Sequence, residues 1–166
     1  MNQQSDRPFT LFFVRHGVTE PNFRGYRCGG DLDIPLMDIG CDQAYLLAKQ
    51  IDKMNLRVGV IVTGTLVRTR QTSSIISGVL GNVPIEIDPL LNERRLGQWN
   101  NRPIAETESQ LAAGMTPPGG ESEADFRGRI DSHEWSVLHA RLRDDSPEPS
   151  QAATKPGAKS KAAVAA

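Results

Sequence analysis

The sequence predicts an α/β fold: a three-layer sandwich with a mostly parallel central sheet and helices on both of its faces. Two continuous apolar runs, FTLFFVRH (9–16) and VGVIVT (58–63), are typical of parallel strands that are buried on both faces. A helical pattern follows each run, and PIEID (84–88) predicts a short third strand. Because strands and helices alternate, we expect right-handed crossovers and a sheet that is covered on both sides.

Three helices are predicted around these strands. The first starts at Asp38, whose side chain suits an N-cap position. The second covers about 66–80 and is closed by Gly81, and the third starts in ESEADFRGRI (121–130). The apolar stripe of the first helix is expected to comprise Ala44, Leu47, Ala48, Ile51 and Met54.

The segments between these elements are predicted loops. Residues 17–36 are rich in Gly, Arg, Asp and Pro, and a loop of that length inside a compact domain is usually functional. Residues 90–103 and 115–122 contain the Gly and Pro residues that interrupt regular structure.

The composition is that of a globular chain without a strong charge. The 166 residues are enough for one domain with a core, and the formal net charge is −1. No apolar run approaches the ~18 residues of a membrane span, and the start, MNQQSDRPFT, lacks the basic and apolar segments of a secretory signal. We therefore expect neither a nucleic-acid nor a membrane partner.

Cysteines and histidines argue for a cytoplasmic protein that binds no metal. Cys28 and Cys41 form no CxxC motif, and two lone thiols fit a reducing compartment. The histidines are His16, His133 and His139. The last two would lie on different faces of a helix, so they would not chelate one ion.

The end of the chain differs in composition from the rest. Residues 146–166, SPEPSQAATKPGAKSKAAVAA, contain one large aliphatic residue and are otherwise mostly Pro, Ala, Ser and Lys. This composition predicts a disordered tail after a single domain at 1–145.

Charged and potentially nucleophilic residues directly follow the first two predicted strands. In an open α/β sheet, ligands bind beyond the carboxyl ends of the strands, and Arg15 and Arg68 would project towards that edge. Guanidinium groups bind phosphate through a planar fork of donors. Between them His16, as a neutral imidazole, would be a nucleophile towards phosphorus. The alternatives are two ordinary surface arginines and a polar histidine at the end of a strand.

Five motifs in order decide between these alternatives. They are VRHGVTEPN (14–22), GGDLDIPLMDIGCDQA (29–44), TLVRTRQT (65–72), LNERRLGQW (91–99) and PPGGES (117–122). Together they resemble the histidine phosphatase superfamily, in its phosphoglycerate mutase-like branch. The resemblance implies the same α/β sandwich and a reaction that needs no cofactor.

The resemblance also implies roles for individual residues. His16 matches the nucleophile that becomes phosphohistidine, and Arg15 and Arg68 match the arginines that hold the phosphoryl group. Glu93 matches the proton donor. A carboxyl group in an anion pocket can deliver a proton to the leaving oxygen, although a solvated loop carboxylate is the alternative.

Further positions match the parts of the family that contact substrate. Asn22 matches a residue that helps to bind the phosphoryl group, and Thr19 lies in the same loop. Cys28 and Gly29 fall where the family's loop meets substrate. Asp31 and Asp33, which at first suggest metal ligands, match residues that structure this loop.

The second catalytic histidine of the family has no clear match. It follows a late buried strand that lies next to the first one, and nothing after Leu138 has the composition of such a strand. His139 in WSVLHA (135–140) is the candidate, although its surroundings have helical spacing. We therefore expect a domain that is incomplete at its C-terminal end, through truncation or an altered reading frame, with an unpaired edge beside the strand of His16.

The predicted function is hydrolysis of a small phosphorylated metabolite through a phosphohistidine on His16. The resemblance suggests sugar phosphates or an α-ribazole-phosphate-type fragment as substrates. Phosphoryl transfer of the phosphoglycerate mutase type is one alternative, and a catalytically impaired remnant that binds phosphate or a partner protein is another. The oligomeric state stays open, a dimer included.

Overall fold

A parallel sheet forms the centre of the structure. The computed structural model describes residues 10–131 and the strand at 161–165. Its four strands lie in the order β1, β4, β2, β3, and all pairings are parallel. The strands are β1 (Thr10–Phe13), β2 (Arg57–Thr63), β3 (Ile85–Ile87) and β4 (Lys161–Ala165). The predicted α/β class with a parallel sheet is confirmed.

Helices occupy the connections between the strands. They are α1 (Glu20–Phe23), α2 (Asp38–Lys53), α3 (Val67–Val79), α4 (Ile104–Ala112) and α5 (Glu123–Asp131). Short 3₁₀ turns at Pro89–Leu91 and Gly97–Trp99 lie between β3 and α4. Among the described helices, none is long and apolar enough to cross a membrane.

The core lies between the sheet and the pair α2 and α3. Ala48 of α2, Ile61 of β2 and Ile76 of α3 are fully buried and belong to one cluster of apolar side chains. Phe12 and Val14, from the end of β1 and just beyond it, pack against the same cluster. This packing fixes the ends of β1 and β2 relative to the start of α3. The candidate catalytic residues His16 and Arg68 lie in this region.

Two details of α2 differ from the prediction. The N-cap is Met37, and Asp38 is the first helical residue, where its negative charge still faces the positive end of the helix dipole. Met54 is the C-cap and is 56% exposed, so it lies outside the buried stripe. The stripe ends at Ile51, because the helix itself ends at Lys53.

Two helices lie where none was predicted. The short helix α1 falls inside the predicted loop at 17–36, and it begins with Pro21 in its first turn. In α4 a single residue, Thr107, is buried. The nine residues of α4 include two large apolar side chains, Ile104 and Leu111, so its apolar pattern is too short to stand out in the sequence.

The strand β4 corrects the prediction for the end of the chain. Lys161–Ala165 lies between β1 and β2, with Ala162 paired to Thr10 on one side and to Val58 on the other. The expectation of disorder throughout 146–166 is therefore wrong. On the side towards β2, β1 is paired with β4, whereas its other side is an edge of the described sheet. A slot between two strands offers backbone hydrogen-bond partners on both sides, and this outweighs the low strand propensity of alanine.

The rest of the predicted tail, 146–160, lies outside the described residues. The predicted domain boundary at 145 therefore stays a prediction.

Candidate active site

The end of β1 presents His16 at the carboxyl edge of the sheet. Gly17, directly after it, is buried against the first turn of α2, where any Cβ atom would collide with the carbonyl oxygen of Gly40. Only glycine therefore allows this close approach of two backbones. The end of β2 leads through Gly64 and Thr65 into α3, so Arg68 arises at the same edge.

Arg68 is the central cation of this edge. Its side chain is fully buried, and its Nε–H donates to Nε2 of His16 at 3.2 Å. The two terminal nitrogens donate to the carbonyl oxygens of Leu32 at 2.7 Å and Gly29 at 3.2 Å. Arg68 and His16 are therefore in direct contact at this edge, whereas the predicted meeting of Arg15 with Arg68 stays a prediction.

The imidazole of His16 is held in one tautomer. Its Nδ1–H donates to the carbonyl oxygen of Gly17 at 2.7 Å, which leaves Nε2 as the nitrogen with a lone pair. Burial lowers the pKa of His16, against the effect of the Gly17 hydrogen bond and the carboxylate of Glu93, and the charges of Arg68 and Arg15 lower it further. The ring is therefore neutral at pH 7.

A second group of polar residues lies in the loop after His16. Thr19 is fully buried, and its hydroxyl donates to Oδ1 of Asn22 at 2.9 Å. This contact leaves the amide nitrogen of Asn22 as the donor end of the side chain. Burial raises the pKa of the Cys28 thiol, so Cys28 is a neutral neighbour of Thr19.

The loop at 28–33 is fastened to the segment that carries Glu93. The N–H of Gly30 donates to the carbonyl oxygen of Arg94 at 2.8 Å, and a Cβ atom at Gly30 would collide with the carbonyl oxygen of Glu93. The two loops are therefore in backbone contact, and Gly29, which accepts from Arg68, lies at the same junction.

The two aspartates of this loop organise backbone groups, as the sequence indicated. Asp31 accepts hydrogen bonds from the N–H groups of Leu96 and Gly97 and from the side chain of Asn100. Although burial works against it, these bonds hold the pKa of Asp31 below its ordinary value. Asp33 accepts the first N–H of α3.

Glu93 faces a cavity of about 750 Å³. Its side chain is exposed, and its Oε1 accepts the N–H of Arg94 at 2.7 Å. The cavity wall is amphipathic, with apolar residues and charged residues from β1, α4, α5 and the 90–94 segment: Phe13, Val14, Leu91, Glu93, Arg94, Leu111, Glu123, Phe126, Arg127, Ile130 and Asp131. His16 and Arg68 do not line it, and Glu93, which does, raises the pKa of His16 slightly through its charge.

A sequence model of the histidine phosphatase superfamily (branch 1) matches residues 11–142, which is most of the chain. The chain belongs to this superfamily. The resemblance of the five motifs is thereby confirmed. Curated relatives agree with it: fructose-2,6-bisphosphatase TIGAR of Xenopus laevis is 32% identical over 123 residues, which make up 69% of this chain and 44% of that protein.

Two further proteins support the same assignment to the histidine phosphatase superfamily. A probable phosphoglycerate mutase, GpmB of Yersinia pestis, is 38% identical over 94 residues, 57% of this chain and 42% of that protein. The chain thus spans less than half the length of these curated relatives. A mycobacterial glucosyl-3-phosphoglycerate phosphatase, solved with VO₃, has a TM-score of 0.67 at 25% identity and covers 93% of this chain and 73% of its own.

Some residues that organise the site of this histidine phosphatase chain were missed at the sequence level. The hydroxyl of Thr72 accepts the N–H of Gly17 at 3.2 Å and donates to the carbonyl oxygen of Arg68 at 2.9 Å. Gln43 of α2 accepts the N–H of Val18. The signal for Thr72 was its spacing of four residues from Arg68, which places both on one face of α3.

His139, the candidate for the second histidine of the superfamily, lies outside the described residues, as does His133. Within 10–131 no group of three or more His, Cys, Asp or Glu side chains could hold a metal ion. The predictions for the second histidine and for a reaction without a metal both stay predictions.

Proposed function

We propose that this chain is a phosphatase that hydrolyses a small phosphorylated metabolite through a phosphohistidine on His16. The observation that carries the proposal is the chain of contacts from Gly17 through His16 to Arg68. One ring nitrogen is anchored to a carbonyl oxygen, so the other is the nucleophile, and a fully buried guanidinium lies beside it. A surface histidine at the end of a strand would need neither contact.

In the first step, the Nε2 lone pair of His16 attacks phosphorus, and the bond from phosphorus to the ester oxygen breaks. The Arg68 hydrogen bond to Nε2 must give way, and at 3.2 Å it is long for an N–H donor, so its loss costs little. Two of the five N–H donors of Arg68 then stay bound to the carbonyl oxygens of Leu32 and Gly29, which leaves three for phosphoryl oxygens. Arg15 and the amide of Asn22 supply further donors.

Glu93 delivers the proton to the leaving oxygen. In the second step, the resulting Glu93 carboxylate takes a proton from water as the water attacks phosphorus. The N–P bond then breaks, inorganic phosphate leaves, and His16 and Glu93 return to their starting states. Because Glu93 lies at the cavity wall, the leaving group of the substrate would occupy that cavity.

The substrate we propose is a phosphorylated sugar or sugar acid. Support comes from the cavity, whose wall mixes apolar and charged groups, and from the activities in the names of the relatives, a fructose-2,6-bisphosphatase and a glucosyl-3-phosphoglycerate phosphatase. A leaving group with hydroxyl or carboxylate groups fits such a wall.

The test is turnover of p-nitrophenyl phosphate by the whole chain and by His16→Ala. Removal of the nucleophile is expected to reduce kcat by about 10³-fold or more, since the covalent route is lost. Arg68→Ala should reduce kcat/KM by about 10²–10³-fold, because the main buried cation for the phosphoryl group is lost. Circular dichroism spectra would establish that each variant is folded. Turnover that survives His16→Ala would overturn the proposal.

Phosphoryl transfer between phosphoglycerates is the second candidate, and similarity to the probable phosphoglycerate mutase favours it. The two reactions share the phosphohistidine and differ in whether water or the retained product receives the phosphoryl group. With 3-phosphoglycerate as substrate, release of inorganic phosphate indicates the phosphatase, and formation of 2-phosphoglycerate indicates the mutase. If neither reaction occurs while orthovanadate still binds, the chain is the impaired phosphate-binding remnant.

A further inference from the structure

We propose that Glu121 and Arg129 form a positioning pair for Glu93: they hold the segment on either side of Glu93, so that its carboxyl group can protonate the leaving oxygen. This inference rests on the proposed function, in which Glu93 is the proton donor. Neither residue of the pair has a role in the chemistry described above.

Arg129 holds the segment that precedes Glu93. From α5, one terminal nitrogen of its guanidinium donates to two backbone carbonyl oxygens, Leu90 at 2.5 Å and Asn92 at 2.9 Å. Asn92 is the residue directly before Glu93. Two hydrogen bonds from one charged donor to neighbouring carbonyls fix the direction in which the chain enters Glu93.

Glu121 holds the segment that follows Glu93. Its N–H donates to the carbonyl oxygen of Arg95 at 2.9 Å, and its Oε2 accepts the N–H of Arg95 at 3.3 Å. Its own carbonyl oxygen accepts Nε of Arg94 at 2.9 Å, which turns the Arg94 side chain towards Glu121. The backbone on this side of Glu93 is thereby tied to the PPGGES motif.

The two residues of the pair are joined to each other. Nε and a terminal nitrogen of Arg129 donate to Oε1 and Oε2 of Glu121, each at 3.0 Å. Glu121 is only 5% exposed, so its charge is compensated by Arg129 in a poorly solvated site. The Arg129 hydrogen bonds lower the pKa of Glu121. Hence Glu121 stays a charged acceptor at neutral pH.

The remaining contacts of the segment lead to the same conclusion. Asn92 accepts the N–H of Thr65 at 2.7 Å, at the end of β2, and Gly30 donates to Arg94. These bonds attach the segment to the residues after β2 and to the 28–33 loop, which accepts hydrogen bonds from Arg68. The Glu121–Arg129 pair adds hydrogen bonds from the PPGGES motif and from α5, the helix that also contributes residues to the cavity wall. Glu93 itself is exposed, so its direction depends on this backbone support.

Two roles of the pair can be distinguished by reaction rates on substrates with different leaving groups: one in which it positions Glu93, and one in which it only stabilises the fold. An aryl leaving group departs as a stable phenolate and needs little help from an acid, whereas an alkyl leaving group would depart as an alkoxide without a proton. A misplaced Glu93 therefore slows an alkyl ester selectively. A loss of folded protein slows both esters equally.

The experiment compares p-nitrophenyl phosphate with p-nitrobenzyl phosphate, which have similar size and different leaving groups, by release of inorganic phosphate. Arg129→Gln is expected to reduce kcat for the benzyl ester about tenfold more than for the phenyl ester. Arg129→Lys, which keeps the charge without the fork, should show a smaller selective loss. Arg102→Gln breaks an exposed ion pair with Glu106 and should change neither rate.

Glu93→Gln separates failure of this inference from failure of the proposed function. It should show the full selective loss, and adding Arg129→Gln to it should cause no further selectivity, because Arg129 acts through Glu93. Equal losses on both esters in both Arg129 variants would overturn the positioning pair and leave the proposed function intact. No selective loss in Glu93→Gln, or turnover of either ester by His16→Ala, would instead overturn the proposed function. The ratio of the two rates is independent of how much of a variant is folded.

Discussion

At the scale of single residues, the site depends on an imidazole that is kept neutral while surrounded by cations. Burial, Arg68 and Arg15 all disfavour a proton on His16, and one hydrogen bond to Gly17 determines which nitrogen would attack. The same cations that would bind a phosphoryl group therefore also keep the nucleophile unprotonated. Under the proposed function, one set of charges would serve both binding and activation.

The pH dependence of activity follows from this arrangement. Since the pKa of His16 is lowered from 6.5, the acid limb of the kcat/KM profile should lie below pH 6.5. Arg15→Gln removes one positive charge, so the pKa of His16 should rise and the acid limb should move to higher pH. Rates with p-nitrophenyl phosphate and an NMR titration of the His16 ring measure the shift. A limb that moves to lower pH would contradict the electrostatic explanation.

Stability should depend on His16 in the same pH range. The unfolded chain begins to bind a proton at His16 as the pH falls through about 6.5, whereas the folded chain binds it only at lower pH. His16 therefore lowers the free energy of unfolding as the pH falls from 6.5 to its folded pKa, below which the effect is constant. His16→Asn should remove this component from urea unfolding measured between pH 7 and 5. An unchanged pH dependence in that variant would contradict the lowered pKa.

At the scale of elements, the site is built where loops are attached to the ends of strands and helices. The helix α3 has Leu66 as its N-cap, which offers no side-chain hydrogen bond, and Asp33 supplies the missing acceptor from a distant loop. Asp33 thus caps the helix that carries Arg68 and at the same time fixes the loop whose carbonyl oxygens accept from Arg68. Such a cap cannot be predicted from local sequence, because cap and helix are far apart in the chain.

Loss of the remote cap should destabilise the fold. Asp33→Ala removes the acceptor for the Val67 N–H, which lies 2.7 Å away, and should lower the free energy of unfolding by about 1 kcal/mol. Asp33→Asn keeps an oxygen acceptor and should lose less than half of that. Urea denaturation of both variants measures the difference. Equal losses in the two variants would show that the charge matters rather than the hydrogen bond.

At the scale of the whole molecule, the order of elements was predictable and the completion of the sheet was not. Continuous apolar runs predicted β1 and β2, although β1 is not buried on both faces, since Phe13 is 73% exposed. Parallel topology then predicted that the residues after these strands lie at one edge. The strand β4 could not be predicted, because KAAVA has little strand propensity and its pairing depends on the open slot between two other strands. Arg129 was missed for a related reason: an arginine on a short polar helix is typical of a solvated surface.

The inserted strand should be essential to the sheet. Ala163 is paired with Leu11 of β1 and with Val60 of β2, so Ala163→Pro removes a backbone donor in the middle of the sheet. We expect a loss of about 2 kcal/mol or more in the free energy of unfolding. Ala163→Ser keeps the donor and is the matched control. If thermal and urea unfolding show the same stability for both variants, β4 does not hold β1 and β2 together.

The phosphohistidine is tested most directly by rapid acid-free quenching of the whole chain with ³²P-labelled p-nitrophenyl phosphate, followed by mapping of the label. We expect acid-labile, base-stable phosphate on Nε2 of His16, because Nδ1 is tied to the Gly17 carbonyl oxygen, and no label in His16→Ala. Label on Nδ1, on another residue, or on none during steady turnover would contradict the central claim that the end of β1 carries the nucleophile.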